Sequence, residues 1–478
     1  MNSKFILAFN VLTYLTISAF SQGINLNWKK AGSESDGGKL NDIIVYRGDG
    51  EGKTLIAATE SYGLYKSTNR GATWSKINMG NVSPYISSLY QLPNGTIYIA
   101  TGKVLDTTSS STPYNYDKIG NGIWVTTNGG GTFSQIPNTS PNVSLGINDT
   151  WAAVNKIYID ANNTNRIIAG TAKGLRITND NGSTWINPLP NDTNQVLDLK
   201  VSGSVVLVAF KRKSMISTDG GNTFNQITGT TPGLLPSSSF YRNEFAIAPN
   251  NNNIIYAAII SNTGILSAIY YSTNQGASWS LFSYASIFNF DPITEGFSSK
   301  GVIFEVLPGT TDNLIVAGSK YFSYSPSTGW IKRVSGVGIF NKIEWDPADN
   351  SKVYFATSNG AYRSYSGAVN ITRNTLTAIS AGVAASEINS FSYGSLKGFA
   401  TTGSGAIIFN KPELGNAIAN PIEITGKPVK CFISKDGALF LAQTYGDIQR
   451  SSDNGQNWQR TKAFVSDRVA TILASSTV

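Results

Sequence analysis

The sequence predicts an all-β fold, a β-propeller of four-stranded blades, and three observations predict it. An eight-residue phrase recurs with starts at 67, 126, 178, 217, 272 and 451: Ser/Thr, any residue, Asn/Asp, any residue, Gly, any residue, a small or polar residue, then Trp/Phe. A short apolar run with a Gly precedes each copy, as in Leu55-Ile56-Ala57-Ala58-Thr59 followed by Gly63-Leu64-Tyr65. The composition is turn-rich and weakly charged, with 47 Gly, 11% aromatic and 14% charged residues, and no helical period runs far enough to argue a helical domain. A repeat at this spacing means stacked copies of one supersecondary unit.

The phrase reads as a tight turn between two strands. Asn69, Asn128, Asp180, Asp219, Asn274 and Asp453 can accept hydrogen bonds from amides further along the turn, and Gly71, Gly130, Gly182, Gly221, Gly276 and Gly455 supply the positive φ it needs. Trp74, Phe133, Trp185, Phe224, Trp279 and Trp458 then open the next strand, placed to wedge against a neighbouring unit. Two strands precede each turn, and a further one lies upstream, as in Lys156-Ile157-Tyr158-Ile159-Asp160. Three strands before the turn and one after make a propeller blade.

Degenerate units fill the gap between 272 and 451: a shortened turn at Tyr324–Trp330, an approach strand alone at Ala361–Gly367, and Gly405–Phe409 with its turn lost. The count is about nine repeat units, with seven to ten admissible. Asn27-Trp28-Lys29-Lys30 resembles the strand after the first turn, Thr73-Trp74-Ser75-Lys76, so the expectation is one ring whose closing blade is shared between the two termini. Val465–Leu473 resembles a first strand, Val82–Tyr90. Either the sequence stops inside a further unit or the closing blade has two strands.

These phrases resemble the Asp-box, or bacterial-neuraminidase-repeat, proteins, whose propellers include sialidases, sortilin-type receptors and two-propeller xyloglucanases. The resemblance covers nearly the whole chain after the leader. It implies that the boxed residues are structural and sit away from the binding face. In the xyloglucanase-like proteins an acid stands before the third strand of an early blade in a Thr-Asp-x-Gly-Gly-x-Tyr phrase. Thr59-Glu60-Ser61-Tyr62-Gly63-Leu64-Tyr65 is similar, which makes Glu60 the one catalytic candidate. Glu replaces Asp there, the second Gly is shifted, and the partner carboxylate would come from a second propeller. The Arg-Ile-Pro phrase of sialidases is missing.

At the N-terminus Lys4 precedes an apolar stretch from Phe5 to Ile17, and Ala19-Phe20-Ser21 offers small residues for cleavage, so 1–21 reads as a signal peptide and 22–478 as the propeller. The mature chain then carries no stretch able to span a bilayer, and the expected location is secreted or cell-surface. With no His and one Cys, Cys431, neither His-dependent nucleophilic chemistry nor an intramolecular disulfide is available. The net charge of +8 is scattered, without the basic stripe and stacking aromatics that nucleic-acid binding needs. No cofactor and no metal are expected, since turns such as Asp346-Pro347-Ala348-Asp349 lack the alternating acids of an ion loop.

Function is then expected on long loops of the rim opposite the boxes. Their aromatics, Tyr114, Tyr116, Trp151, Tyr241, Tyr284, Phe288 and Phe290, are the candidate binding residues. The readings that remain are a module binding extracellular protein or polysaccharide, and alternatively a polysaccharide hydrolase using a carboxylate pair.

Overall fold

The computed structural model describes residues 39–104, 118–237, 240–261, 266–284, 302–335, 337–380, 388–393, 397–402, 405–410, 420–422, 428–434, 436–443, 448–453 and 457–462. The leader, Asn27–Lys30 and Val465–Leu473 lie outside them. Nine antiparallel sheets of three or four strands follow one another along the chain, each a meander in sequence order. They are blades 1 to 9 below, spanning 40–76, 86–135, 154–186, 198–226, 240–284, 303–335, 340–378, 388–422 and 428–462. In blade 3 an isolated bridge, Ile177 to Ile186, stands in for the fourth strand. The three degenerate units supply the third strands of blades 6, 7 and 8, Lys320–Ser325, Gly360–Ser364 and Gly405–Asn410.

The second strands of the blades are almost wholly apolar because both faces of a blade are covered. In blade 1, Ile43, Val45, Leu55, Ala57 and Tyr65 face one neighbour, and the alternate residues Ile44, Ile56, Ala58 and Leu64 face the other. Side chains one residue apart on a strand point to opposite faces. The second strand of blade 4, Val205–Phe210, is buried at every position, whereas the outermost strand of blade 1, Ser75–Lys76, is exposed. Apolar runs therefore mark the inner strands within each blade, while the first strands carry polar residues such as Asn41, Asp42, Lys156 and Glu244 toward the centre.

Among the described residues the grouping of these sheets differs from a single ring of all of them. Blade 1 packs on blade 7: Leu40, Ile43, Val45, Leu55, Ala57 and Tyr65 share one core with Tyr354, Ala356, Ala361 and Ile379. The first strands of blades 1 to 7, from Leu40–Val45 to Phe340–Asp346, all line one central cavity of about 240 Å³. Between neighbours a polar side chain near the start of the first strand bonds the backbone of the next blade. Asn41 Nδ2 donates to Ile86 O (2.7 Å), Ser87 Oγ to Val154 O, and Asn155 Nδ2 to Val196 O (2.9 Å). Asn341 Nδ2 of blade 7 donates to Leu40 O of blade 1 at 2.7 Å by the same rule. Seven blades thus form the ring, and it closes without a shared blade, since blades 1 and 7 each own four consecutive strands.

Blades 8 and 9 share a separate core of Phe399, Cys431, Ile433, Leu439 and Leu441, against which Trp458 packs. Cys431 is buried there, its Sγ donating to Phe399 O at 3.2 Å, as a small apolar residue of a strand. Among the described residues no core cluster joins blades 8 and 9 to the ring.

Candidate functional site

The boxes repeat one hydrogen-bond device. Ser67 Oγ donates to Asn69 Oδ1 (2.9 Å) and accepts from Gly71 N (2.8 Å), while Asn69 Oδ1 also accepts from Thr73 N (2.8 Å). Thr126, Thr178, Ser217 and Ser272 hold Asn128, Asp180, Asp219 and Asn274 in the same way. Ser451 and Asp453 begin a sixth copy, whose Gly455 lies outside the described residues. The boxed acids are consumed by this device. The Thr178 hydroxyl, with Thr184, holds Asp180 down at about 2, and the Asn457 amide, with Ser451, holds Asp453 at about 2.

Each box also grips the preceding blade. Gly71 has φ +86°, and a Cβ there would lie 2.5 Å from Ile379 Cδ1 of blade 7. Gly130 meets Ile77, and Gly182 meets Ile136, in the same manner. Trp74 packs into the core shared by blades 1 and 7 and donates from Nε1 to Ile379 O at 2.7 Å. Phe133, Trp185, Phe224 and Trp279 pack into the corresponding cores further round. These residues hold blades together.

Because the strands of a blade alternate in direction, the boxes share a rim with the turns between first and second strands. The turns between second and third strands, and the connections between blades, form the opposite rim. Glu60 lies there, in the turn between Leu55–Thr59 and Leu64–Ser67. Lys103 and Lys118, which pair with each other across the neck of the 104–117 segment (Lys103 N to Lys118 O, 2.8 Å), both reach it. Lys103 Nζ bonds Oε1, and Lys118 Nζ stands 3.4 Å from Oε2 while donating to Ser61 Oγ at 2.6 Å. Burial alone would raise the Glu60 pKa, but Lys103 and Lys118 overcome it and hold the carboxyl well below the usual carboxylate range. A carboxylate so stabilised has no proton to give as a general acid and little basicity left. It fastens the neck of a loop.

The aromatic candidates fare unevenly. Trp151 is half-buried, in edge contact with the box residue Trp185 at 4.7 Å between centroids, and packs on the core of blades 2 and 3. Tyr241 is buried in the first strand of blade 5, Phe240–Ile247, and is not on a rim loop; Lys211 Nζ lies 5.1 Å from its ring. Tyr284 ends the outer strand of blade 5, paired with Ala268. Tyr114, Tyr116, Phe288 and Phe290 lie outside the described residues.

Arg242 and Glu244, close to Tyr241 in sequence, also belong to that buried strand, with Arg242 NH2 at 3.1 Å from Glu244 Oε1. Glu244 faces the central cavity together with Lys156, Lys200, Glu305 and Lys342, and Lys200 Nζ pairs with Glu305 at 2.6 Å. Burial, reinforced by Asp198, pushes Glu244 up to about 8, and burial pushes Glu344 up to about 7.

Sequence reasoning missed the apolar surface. Seven large hydrophobic residues are exposed among the described residues, and four of them lie on the rim opposite the boxes, on loops of blades 1 and 2: Tyr62 (44%), Ile119 (46%), Val143 (90%) and Leu145 (51%). Beside them is a pocket of about 430 Å³ lined by Ile119, Trp124, Gln135, Pro141, Asn142 and Val143, with Asn81, Asn121, Ser140 and two glycines. Asp149 shapes this loop by accepting from Asn142 N (3.1 Å) and Trp151 N (2.7 Å). The available signal was Val143 and Leu145 themselves, two apolar residues set in a loop of Pro, Asn, Ser and Gly.

Comparison with known proteins supports the repeat and the fold. Residues 270–281 match the BNR/Asp-box repeat, and they contain the fifth box. The chain is similar in structure to the GH74 xyloglucanase from Xanthomonas campestris, at 13% identity over 90% of this chain and 74% of that one, with a TM-score of 0.50. It is also similar to the GH74 enzyme of Niastella koreensis (16% identity, 91% and 74% covered, TM-score 0.47). A third similar structure is PorZ, a bacterial surface component of the type-IX secretion system of Porphyromonas gingivalis (12%, 91% and 53%, TM-score 0.44). No curated protein matches the sequence. Among the described residues no helix is long and apolar enough to cross a membrane.

Proposed function

We propose that this chain is an exported binding module whose docking face is the rim opposite the Asp boxes, over blades 1 and 2. The observation that carries the reading is the gathering of Tyr62, Ile119, Val143 and Leu145 in that one sector beside a pocket. Exposed apolar residues gathered beside a concave pocket are the kind of surface an interaction site uses. A size of about 430 Å³ suits a ligand pocket. Export rests on the leader-like residues 1–21, which would place the partner, protein or polysaccharide, outside the cell.

The competing reading, a polysaccharide hydrolase, needs two carboxyl groups about 5 Å apart for retention or about 6.5–9.5 Å apart for inversion, one of them able to donate a proton. Glu60 does not suit the acid role, because two ammonium groups keep it ionised, and those same groups tie up its oxygens. Reducing-sugar release from a panel of plant and bacterial polysaccharides, with Glu60→Gln in parallel, tests the choice. The expected result is no release from either protein. Release by the natural sequence that vanishes in the variant would overturn the binding-module reading.

A further inference from the structure

The rim opposite the boxes carries a basic strip over blades 3 and 4, outside the docking face proposed above and independent of it. Lys173 sits in the turn before the third strand of blade 3, Gly174–Thr178, and Arg176 belongs to that strand. Lys211 and Arg212 form the corresponding turn of blade 4, between Val205–Phe210 and Lys213–Ser217. The connection 187–197 joins the two turns. A Cβ placed at Gly174 would lie 2.6 Å from Asp192 O and 3.4 Å from Arg176 Nη1, and the Asp192 carboxylate reaches Lys213 Nζ at 2.7 Å. Among the described residues of this strip, five cations stand against two carboxylates, Asp149 and Asp192.

Asp192 is spent on Lys213, and three of the cations have neutral partners alone. Lys173 Nζ donates to Asn148 Oδ1 at 3.3 Å. Arg176 donates from Nη1 to Leu175 O (2.8 Å) and from Nη2 to Thr150 Oγ1 (3.3 Å). Lys211 is exposed, its Nζ 5.1 Å from the ring centroid of Tyr241. Asp149 lies between Asn148 and Thr150 in sequence, but its oxygens accept from Asn142 N and Trp151 N, and it forms no ion pair with these three. Arg176 is partly buried, burial holds its pKa below the usual guanidinium value, and no carboxylate offsets that effect. A desolvated cation is ordinarily paired, so this guanidinium is short of an anion, and three of its five donors are left to hold one.

We propose that this strip binds an anionic polysaccharide, with Lys173, Arg176 and Lys211 holding its carboxylate or sulfate groups. The planar fork of Arg176 matches an oxyanion, and the two lysines act as point charges. The exposed side chains around the cations, Asn148, Asn191, Thr193 and Asn194, are amides and a hydroxyl, which suit the hydroxyl groups of a sugar chain. A polypeptide would also bring apolar side chains, and the one large exposed hydrophobic residue of these two blades, Ile186, stands on the outer edge of blade 3. A nucleic acid would need a ring on which to stack its bases. Tyr241, beside the strip, is only 5% exposed.

The test measures binding of the full chain to immobilised polygalacturonate, dextran sulfate and neutral dextran by biolayer interferometry. The expected result is binding of polygalacturonate, of dextran sulfate or of both, weakened by added salt, and no binding of neutral dextran. Which polyanion binds tells a carboxylate ligand from a sulfate one. Arg176→Gln weakens binding at least about tenfold. Lys211→Gln, at an exposed hairpin tip where folding is not at stake, weakens it by a smaller factor. Lys76→Gln removes the same charge from the exposed outer strand of blade 1 and leaves binding unchanged. Failure of both polyanions to bind overturns the proposal. So does an equal loss in Lys76→Gln, which would mean that net charge acts alone, or full binding by Arg176→Gln and Lys211→Gln. Poly-glutamate or single-stranded DNA bound more tightly than either polyanion, and lost in Arg176→Gln, would overturn the polysaccharide class.

Discussion

Closure of the ring between blades 1 and 7 can be tested at a single glycine. Gly71 sits at φ +86°, and a Cβ placed there meets Ile379 Cδ1 at 2.5 Å and Ile379 Cβ at 2.8 Å. Gly71→Ala therefore carries two costs: about 1–2 kcal/mol for an L-residue in the left-handed region, and about 1–3 kcal/mol for overpacking against a neighbour that is only 5% exposed. Ile379→Ala alone opens a cavity at a cost of about 2–5 kcal/mol. In the double variant the added methyl enters the space the isoleucine leaves, so the overpacking part disappears while the backbone part stays. The double-mutant cycle should show a favourable coupling of about 1–2 kcal/mol, read from urea unfolding followed by tryptophan fluorescence. If the two effects add to within about 0.5 kcal/mol, Gly71 does not touch blade 7. Blade 1 would then have some other neighbour, as a larger ring requires.

Other consequences can be measured with the same protein. Ser217→Ala removes the hydroxyl that accepts from Gly221 N and donates to Asp219, and should cost about 1–3 kcal/mol; Ser217→Thr should restore stability, because Thr126 and Thr178 fill this position in other boxes. Glu244 and Glu344 have folded pKa values of about 8 and about 7, above the unfolded value of about 4.3. Their contribution is therefore complete below the unfolded value and is lost as pH rises through about 7 and then about 8. Tm should fall by several degrees between about pH 4.5 and about pH 8 and then level off, and Glu344→Gln should make the fall shallower below about pH 7; a Tm that rises across this range would contradict the assignment. Glu60→Gln leaves Lys103 and Lys118 facing each other without their shared carboxylate, so its Tm should drop more at low salt than at high salt. An equal drop at both would show that the cluster acts through packing and not through charge.

The box turns were legible because every part of the device is local. Ser67, Asn69, Gly71 and Thr73 satisfy one another within seven residues, so the phrase carries its own hydrogen-bond accounting. The candidate site was not legible in this way. Glu60 was visible as an acid in a distinctive register, but its chemistry is decided by Lys103 and Lys118, which stand on the next blade and reach it only once the loop neck forms. Tyr241 was misplaced for a related reason. A stretch carrying Tyr, Arg, Asn and Glu reads as a solvated loop, yet Arg242 and Glu244 are accommodated in a buried strand where they contact each other beside a polar central cavity.

The number of blades in the ring was illegible for a deeper reason. A repeat count reports how many units the chain contains, whereas ring size depends on the angle at which each unit packs on the next, and that angle is set by side chains of different units. Gly71 against Ile379 and Asn341 against Leu40 O join residues about three hundred positions apart. Nothing in the box of blade 1 distinguishes a preceding blade at 340–378 from one at 428–462, since both end in a short polar strand. What separates them is the partner cores. Ile379 and Tyr354 fill the blade 1 interface, while the aromatic residue of the last box, Trp458, stacks on Phe399 of blade 8 with centroids 6.2 Å apart. Blades 8 and 9 are thus committed to each other by the same wedge that commits blade 1 to blade 7. Adding units to a propeller sequence does not by itself enlarge the ring, because each box secures only its contact with the blade before it.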